Sequence, residues 1–160
     1  KEYLIRDHRI QFEHETSTSQ TNDPRVVDDV PTISADGSAV ACVGQRGLHS
    51  FVVRDGTAGP MTNGVRFSPV FVGETGRCAY VAYGFREENV YVDHEKTSRF
   101  DNTWPARPYE ALWTGVERMT QCEDGAYWFC AMRGSQMFGV RIGRGGVERG
   151  CEKTGVSALD

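Results

Sequence analysis

The segment ADGSAVACVGQRGLHSFVVRDG, residues 35–56, decides the fold class, because it holds two apolar stretches that are separated by a polar turn and enclosed by two Asp-Gly pairs. Asp-Gly favours tight turns, and short apolar stretches between turns are typical of β-strands. The same order of features returns in TGRCAYVAYGFREENVYVDHE, residues 75–95, and in DGAYWFCAMRGSQMFGVRIGR, residues 124–144. The sequence therefore predicts an all-β chain in which an antiparallel β-hairpin is repeated.

Three glycines, Gly37, Gly76 and Gly125, serve as common origins of the three copies. From these origins the apolar and polar positions align over about twenty residues without a gap. The alignment places Cys42 and Cys130 at the same position of the repeat. We therefore predict one β-repeat domain over residues 1–160, built from half a unit, three units and one insertion. The predicted bounds are residues 1–15 for the half unit, about 26–64, 65–104 and 116–150 for the units, and 97–121 for the insertion.

The first strand of each hairpin, at residues 39–43, 78–83 and 126–132, is almost continuously apolar. A strand with one face in water would alternate between apolar and polar residues. Continuous apolar strands indicate burial on both faces, which a sheet receives when it is stacked between two neighbours. Units of about 40 residues with this pattern are typical of the blades of a β-propeller.

Composition narrows the classes of partner and of cysteine site that the chain can have. The chain has 160 residues and a formal net charge of −4, so nothing in its charge favours nucleic-acid binding. No stretch of 18 apolar residues predicts a transmembrane helix, and no feature indicates a cellular compartment. The five cysteines contain no Cys-x-x-Cys pair, which argues against a zinc site and a dense disulfide framework. We expect buried reduced thiols, and one bridge between Cys122 and Cys151 stays an open alternative.

The sequence shows no convergent set of catalytic, cofactor-binding or metal-binding residues. Residues 143–146 lack the third glycine of a dinucleotide fingerprint, and no helix pattern follows them. His94 follows Asp93, but sequence neighbours on a strand point to opposite faces and rarely bond to each other. The acidic pair Glu87 and Glu88 is predicted to lie in a hairpin turn as solvated surface. We therefore predict a protein that is not an enzyme and that binds no metal or cofactor.

Aromatic residues gather where the repeat is interrupted. The predicted insertion, 97–121, carries Phe100, Trp104, Tyr109 and Trp113, and a short helix or an irregular segment is predicted after Pro108. Aromatic side chains in connecting segments often form contact surfaces. We predict that these four residues form an interaction surface, and the alternative is that they close the end of a small β core.

The repeated residues resemble the WD40-like, TolB-type β-propeller repeats. Blades of that kind begin with a Ser-x-Asp-Gly turn, as in PTISADG at residues 31–37, and continue into an apolar strand such as VACV at residues 40–43. A second strand that ends in Asp-Gly follows, as in FVVRDG at residues 51–56. The resemblance implies a binding or scaffolding role and brings no catalytic residues. Three and a half units are fewer than the usual six to eight blades, so it also implies a small or partial propeller-like domain.

The sequence thus favours a non-catalytic protein-interaction or scaffold module, such as an accessory subunit of a larger complex. Its partner would be a protein, and exposed end strands could also support self-association. Two alternatives stay open. One is a piece of a propeller-containing hydrolase or carbohydrate-active enzyme whose active residues lie elsewhere, and the other is a small-ligand-binding β domain that uses the aromatic residues of the insertion.

Overall fold

A computed structural model describes residues 2–6, 9–14, 25–26, 31–74, 76–105 and 119–150. Within these ranges every regular element is a β-strand and every pairing is antiparallel, which confirms the predicted all-β fold. None of the described residues belongs to a helix that is long and apolar enough to cross a membrane. The helix or irregular segment predicted after Pro108 lies outside the described residues, and so does Cys151 of the alternative disulfide.

The strands form one hairpin and three larger sheets. The N-terminal hairpin consists of β1 (Glu2–Arg6) and β2 (Arg9–His14). The first sheet contains β3 (Arg25–Val26), β4 (Thr32–Ile33), β5 (Val40–Arg46), β6 (His49–Arg54) and β7 (Thr57–Ala58). The second sheet contains β8 (Gly64–Val72), β9 (Arg77–Tyr83), β10 (Glu88–Val92) and β11 (Glu95–Phe100). The third sheet contains β12 (Asn102–Pro105), β13 (Thr120–Gln121), β14 (Tyr127–Arg133), β15 (Gln136–Gly143) and β16 (Gly146–Gly150).

All three sheets are meanders with the same order of strands. An entry strand pairs with the first strand of the predicted hairpin, the second hairpin strand follows, and a fourth strand forms the far edge. In the first and third sheets two short segments share the entry position, since β3 and β4 both pair with β5, and β12 and β13 both pair with β14. Each hairpin that the sequence predicts is therefore present.

The Asp-Gly turns repeat in atomic detail. The amide of Gly37 donates to the carbonyl of Ser34 at 2.9 Å, and the amide of Gly125 donates to the carbonyl of Cys122 at 3.0 Å. Gly37 has φ +70° and Gly125 has φ +75°, values that glycine adopts without steric cost. The sequence therefore places Asp-Gly where the chain must reverse before the first strand of a hairpin.

Two apolar cores lie between the sheets, and the second sheet contributes to both. Its face with Cys78, Tyr80 and Ala82 packs on the first sheet, and its opposite face packs on the third sheet. Strand β9 is consequently buried on both sides, as its continuous apolar sequence predicts. The core between the second and third sheets includes Phe67, Val81, Val90, Phe100, Phe129, Val140 and Ile142.

The gap-free alignment of the repeats is wrong by one residue between the first and second units. Cys42 lies with Phe51 and Val53 on the face of the first sheet that points away from the second sheet. Val81, its predicted equivalent, points forward to the third sheet. The cause is the turn: the amides of Val40 and Cys78 make equivalent bonds, to Asp55 and Asp93, but Val40 is three residues after Gly37 and Cys78 is two residues after Gly76. A shift of one residue moves a side chain to the opposite face of a strand.

The first residues of the predicted insertion lie in regular strands. Residues 97–100 continue β11 and residues 102–105 form β12, so both belong to regular sheets. Ser98 and Phe100 are buried in β11, whereas Lys96, Thr97 and Arg99 are exposed. Only two residues of β11 face the core, and one of them is a serine. The strand therefore shows little apolar pattern in the sequence.

Candidate binding surfaces

The predicted aromatic surface is only partly within the described residues. Phe100 is 1% exposed and packs against Phe129 and Phe138, with ring centroids 6.3 and 6.4 Å apart. It is thus a core residue, which corrects its prediction as a surface contact, because its position in β11 points toward the third sheet. Trp104 lies in β12, where its backbone is in register with Cys130. Tyr109 and Trp113 lie outside the described residues, so their contact role stays a prediction.

The third sheet has an apolar face that points away from the second sheet. Phe129 and Ala131 of β14 pack on the second sheet, so the alternate residues Trp128, Cys130 and Met132 point the other way. These three side chains are half-buried, and Met137 on the neighbouring strand, in register with Met132, is 48% exposed. We call the surface formed by Trp128, Cys130, Met132 and Met137 the end face.

Unlike the corresponding face of the second sheet, the end face is not covered by another sheet of the described residues. The corresponding face of the second sheet carries Val81 and Val90, which are fully buried beneath the third sheet. No residue of the end face belongs to a buried cluster of the described residues. A contiguous apolar patch of this kind typically marks a protein-binding surface.

A second surface is a cleft of about 650 Å³ where the three sheets approach one another. Its walls come from β4, from the end of β8 with the turn after it, and from β13 with the turn before β14. We call it the three-sheet cleft. The lining residues that matter below are Ile33, Phe71, Glu74, Glu123, Tyr127 and Arg144.

Glycines let the two turns of the cleft approach closely. The amide of Gly73 donates to the carbonyl of Gly125 at 3.1 Å, which joins the second and third sheets. Both residues have positive φ, and a Cβ on Gly125 would lie 3.3 Å from the Cα of Gly73. A larger residue at Gly125 would press on the backbone of the Gly73 turn, so the close approach of the two turns depends on this glycine.

Most charges of the cleft occur in pairs. The guanidinium of Arg144 lies 3.5 Å from the carboxylate of Glu74, and Asp124 forms an ion pair with Arg141. The pKa of Asp124 is lowered, first by the Ala126 amide that donates to its carboxylate and then by Arg141. Glu123 is exposed and has no ion-pair partner among the described residues. Among the described residues, the cleft therefore keeps one carboxylate without a paired cation.

Tyr127 forms a border between the cleft and the core. Its ring packs against the core of the second and third sheets, and the residue also lines the cleft. Burial raises the pKa of its phenol, so the hydroxyl stays protonated at neutral pH and can donate a hydrogen bond. The cleft thus combines a hydrogen-bond donor with apolar surface.

Asp93 and His94 do not bond to each other, as the sequence predicts, but both connect the first and second sheets. The carboxylate of Asp93 accepts bonds from the Cys78 amide at 2.9 Å, from Arg77 at 3.1 Å and from Arg54 of the first sheet. His94 Nδ1 lies 3.2 Å from the Tyr80 hydroxyl. Desolvation lowers the pKa of His94, and Arg54 adds to that effect. The ring is thus a packed, neutral connection between sheets.

Two buried groups near this connection are unsuited to acid–base or nucleophilic chemistry at neutral pH. Burial raises the pKa of the Cys78 thiol to about 12, so the nucleophilic thiolate is scarcely populated. His94 Nε2 is buried and lacks a hydrogen-bond partner within the described part of the chain. The backbone of Thr57 and the charge of Asp93 favour the protonated ring, but burial outweighs them and the pKa of His94 stays lowered.

Glu88 was predicted to be solvated, and that prediction is wrong. The residue is 6% exposed and begins β10, in register with Tyr83, so it is past the hairpin turn. Its carboxylate accepts a hydrogen bond from the hydroxyl of Thr103 in the third sheet. Glu87 does lie in the turn, where Lys96 donates to it at 2.8 Å. The sequence pattern of the pair gives no sign that one of two adjacent glutamates is buried.

No three His, Cys, Asp or Glu side chains converge as metal ligands within the described residues. The described thiols divide into two buried ones, Cys42 and Cys78, and two half-buried ones, Cys122 and Cys130. Comparison with known proteins finds no matching family model, no similar curated sequence and no similar solved structure.

Proposed function

We propose that this protein is a non-catalytic interaction module that binds a protein partner through the end face. The observation that carries the proposal is the contrast between two equivalent faces. The forward face of the second sheet is covered by the third sheet, whereas the end face presents Trp128, Met132 and Met137 without a covering sheet among the described residues.

The chemistry of the end face suits a protein partner. Tryptophan and methionine are enriched in the centres of protein interfaces, and methionine adapts its shape to the surface that it meets. Full burial of one such side chain contributes roughly 1.5–3 kcal/mol, so a few of them together support specific binding. The partner surface that fits is another antiparallel sheet, because the two internal interfaces of the stack are already of that type.

The resemblance to WD40-like repeats supports the same proposal. A propeller is a series of blades that pack face to face until the ring closes. The three meanders, each in the order of a blade, stack in the same sense along the chain. A sheet supplied by a partner would continue that stack on the end face.

The experiment compares sedimentation velocity and binding of an apolar dye for three proteins. We expect the purified chain to self-associate or to bind 8-anilinonaphthalene-1-sulfonate, because the end face lacks its partner. Met137→Lys on the end face should reduce both signals. Leu48→Lys, at an apolar residue that is 87% exposed in the β5–β6 turn, is the matched control and should reduce neither. A monomer that binds no dye, or equal effects of the two lysines, would contradict the proposal.

A further inference from the structure

The three-sheet cleft is a different surface from the end face, and three of the strands that line it each have one paired neighbour among the described residues. Strand β8 is an edge of the second sheet, and β4 and β13 each pair with one strand only. An edge strand offers backbone donors and acceptors to an extended segment of another chain. The cleft therefore favours an extended peptide over a compact small molecule.

The charge of the cleft favours a bound segment that carries a positive side chain. Glu74 is compensated by Arg144 and Asp124 by Arg141, which leaves the exposed carboxylate of Glu123. A partner with a lysine or arginine would supply the missing charge, and the formal net charge of −4 would draw a basic segment toward the protein. An acidic segment would have to compete with Glu74 for Arg144.

Apolar surface lies beside this charge. Ile33 is 62% exposed in β4, and Phe71 lines the same cleft. The ring of Tyr127 adds aromatic surface, which attracts cations as well as apolar groups. A segment in which a basic residue stands next to an apolar residue would match both parts of the lining.

From these observations we infer that the three-sheet cleft binds an extended peptide segment with a lysine or arginine beside apolar residues. Glu123 supplies the charge contact, and Ile33 and Tyr127 supply the apolar contact. The inference does not depend on the end face, so a failure of one leaves the other unaffected.

The test is a titration of the ¹⁵N-labelled chain with three blocked peptides, Ac-Leu-Arg-Leu-NH₂, Ac-Leu-Gln-Leu-NH₂ and Ac-Leu-Glu-Leu-NH₂. We expect saturable shifts at the amides of Ile33, Gly125 and Tyr127 with the arginine peptide at millimolar concentration. The glutamine peptide should bind about threefold more weakly, since one partly exposed ion pair is lost. The glutamate peptide should bind more weakly still.

Two variants test whether the peptide's charged residue contacts Glu123 in the cleft. Glu123→Gln should reduce the preference for the arginine peptide over the glutamine peptide by about threefold. Glu95→Gln, at an exposed residue of β11, is the matched control and should leave that preference unchanged. The inference is overturned if no saturable shift occurs at these amides, if the glutamate peptide binds as well as the arginine peptide, or if both variants behave alike.

Discussion

His94 stands at a position where glycine is the easier choice. The β6–β7 turn uses Asp55 and Gly56 with φ +49° and +80°, and the β10–β11 turn uses Asp93 and His94 with φ +52° and +69°. A residue with a side chain pays roughly 1–2 kcal/mol for that left-handed conformation. The His94 ring offsets this cost through its contacts with the Tyr80 hydroxyl and with Gly59 of the first sheet.

We expect Gly59→Ala to destabilise the protein by about 1–3 kcal/mol, because the new methyl group would overlap the His94 ring. A Cβ at this position would lie 2.8 Å from Cε1 of that ring, and Gly59 itself has no left-handed φ that would confound the substitution. Urea unfolding of Gly59→Ala, His94→Gly and the double variant measures the effect. The alanine should cost much less when His94 is absent, and equal costs in the two backgrounds would show that the ring does not press on this site.

The residues around His94 also show what the sequence could not predict. The pair of Asp93 and His94 is adjacent in the chain, so its failure to bond internally follows from local strand geometry. Arg54 and Gly59 are brought near by the packing of the first sheet on the second, and Tyr80 by the pairing of strands within the second sheet. Such contacts depend on the order and tilt of the sheets, which no local pattern of residues encodes.

At the scale of elements, β10 and β12 are joined by a buried polar contact. The Thr103 hydroxyl, in the third sheet, donates to the Glu88 carboxylate in the second sheet, and Thr103 is also buried. Arg66 of β8 donates to the carbonyl of Thr103 at 3.2 Å. Polar contacts between packed sheets specify their alignment, because a shift of either strand would leave buried groups without donors.

We expect Thr103→Val to destabilise the protein by about 1.5–3 kcal/mol. Valine keeps the shape of the side chain but removes one donor to a buried carboxylate. The matched control is Thr97→Val in β11. The hydroxyl of this exposed residue donates to the Val90 carbonyl at 3.1 Å, and its loss should cost under about 0.5 kcal/mol. Chemical denaturation of both variants gives the comparison, and similar midpoints would contradict a stabilising role for the contact between sheets.

Strands with a continuous apolar sequence are predictable, whereas a mostly exposed strand with few apolar residues is not. The continuous apolar run of β9 and the Asp-Gly turns predict the hairpins directly. Strand β11, with sequence EKTSRF, has only Ser98 and Phe100 buried, so the sequence predicts its residues 97–100 as part of the insertion. Phe100 was expected on a contact surface for the same reason, since a residue outside a strand has no assigned face.

At the scale of the whole molecule, the second sheet is the structural centre. It is the only described sheet with residues in both large cores, whereas the third sheet packs on it with one face. Stability is seldom uniform across such an arrangement, and elements with less burial open first. We therefore expect an outer sheet, here the third, to detach while the first and second sheets keep their shared core.

Native-state hydrogen exchange tests this order of opening. We expect the amides of β9 to exchange only through global unfolding, and those of β15 to exchange through an opening of lower free energy. Val52 and Val140 are both fully buried, and Val→Ala at either should cost about 1–3 kcal/mol. Val140→Ala, in the third sheet, should lower the protection of both strands, because both openings then begin from a destabilised native state. Val52→Ala, in the first sheet, should lower the protection of β9 and leave β15 unchanged. Equal losses at β15 from the two variants would mean that all three sheets unfold as one cooperative unit.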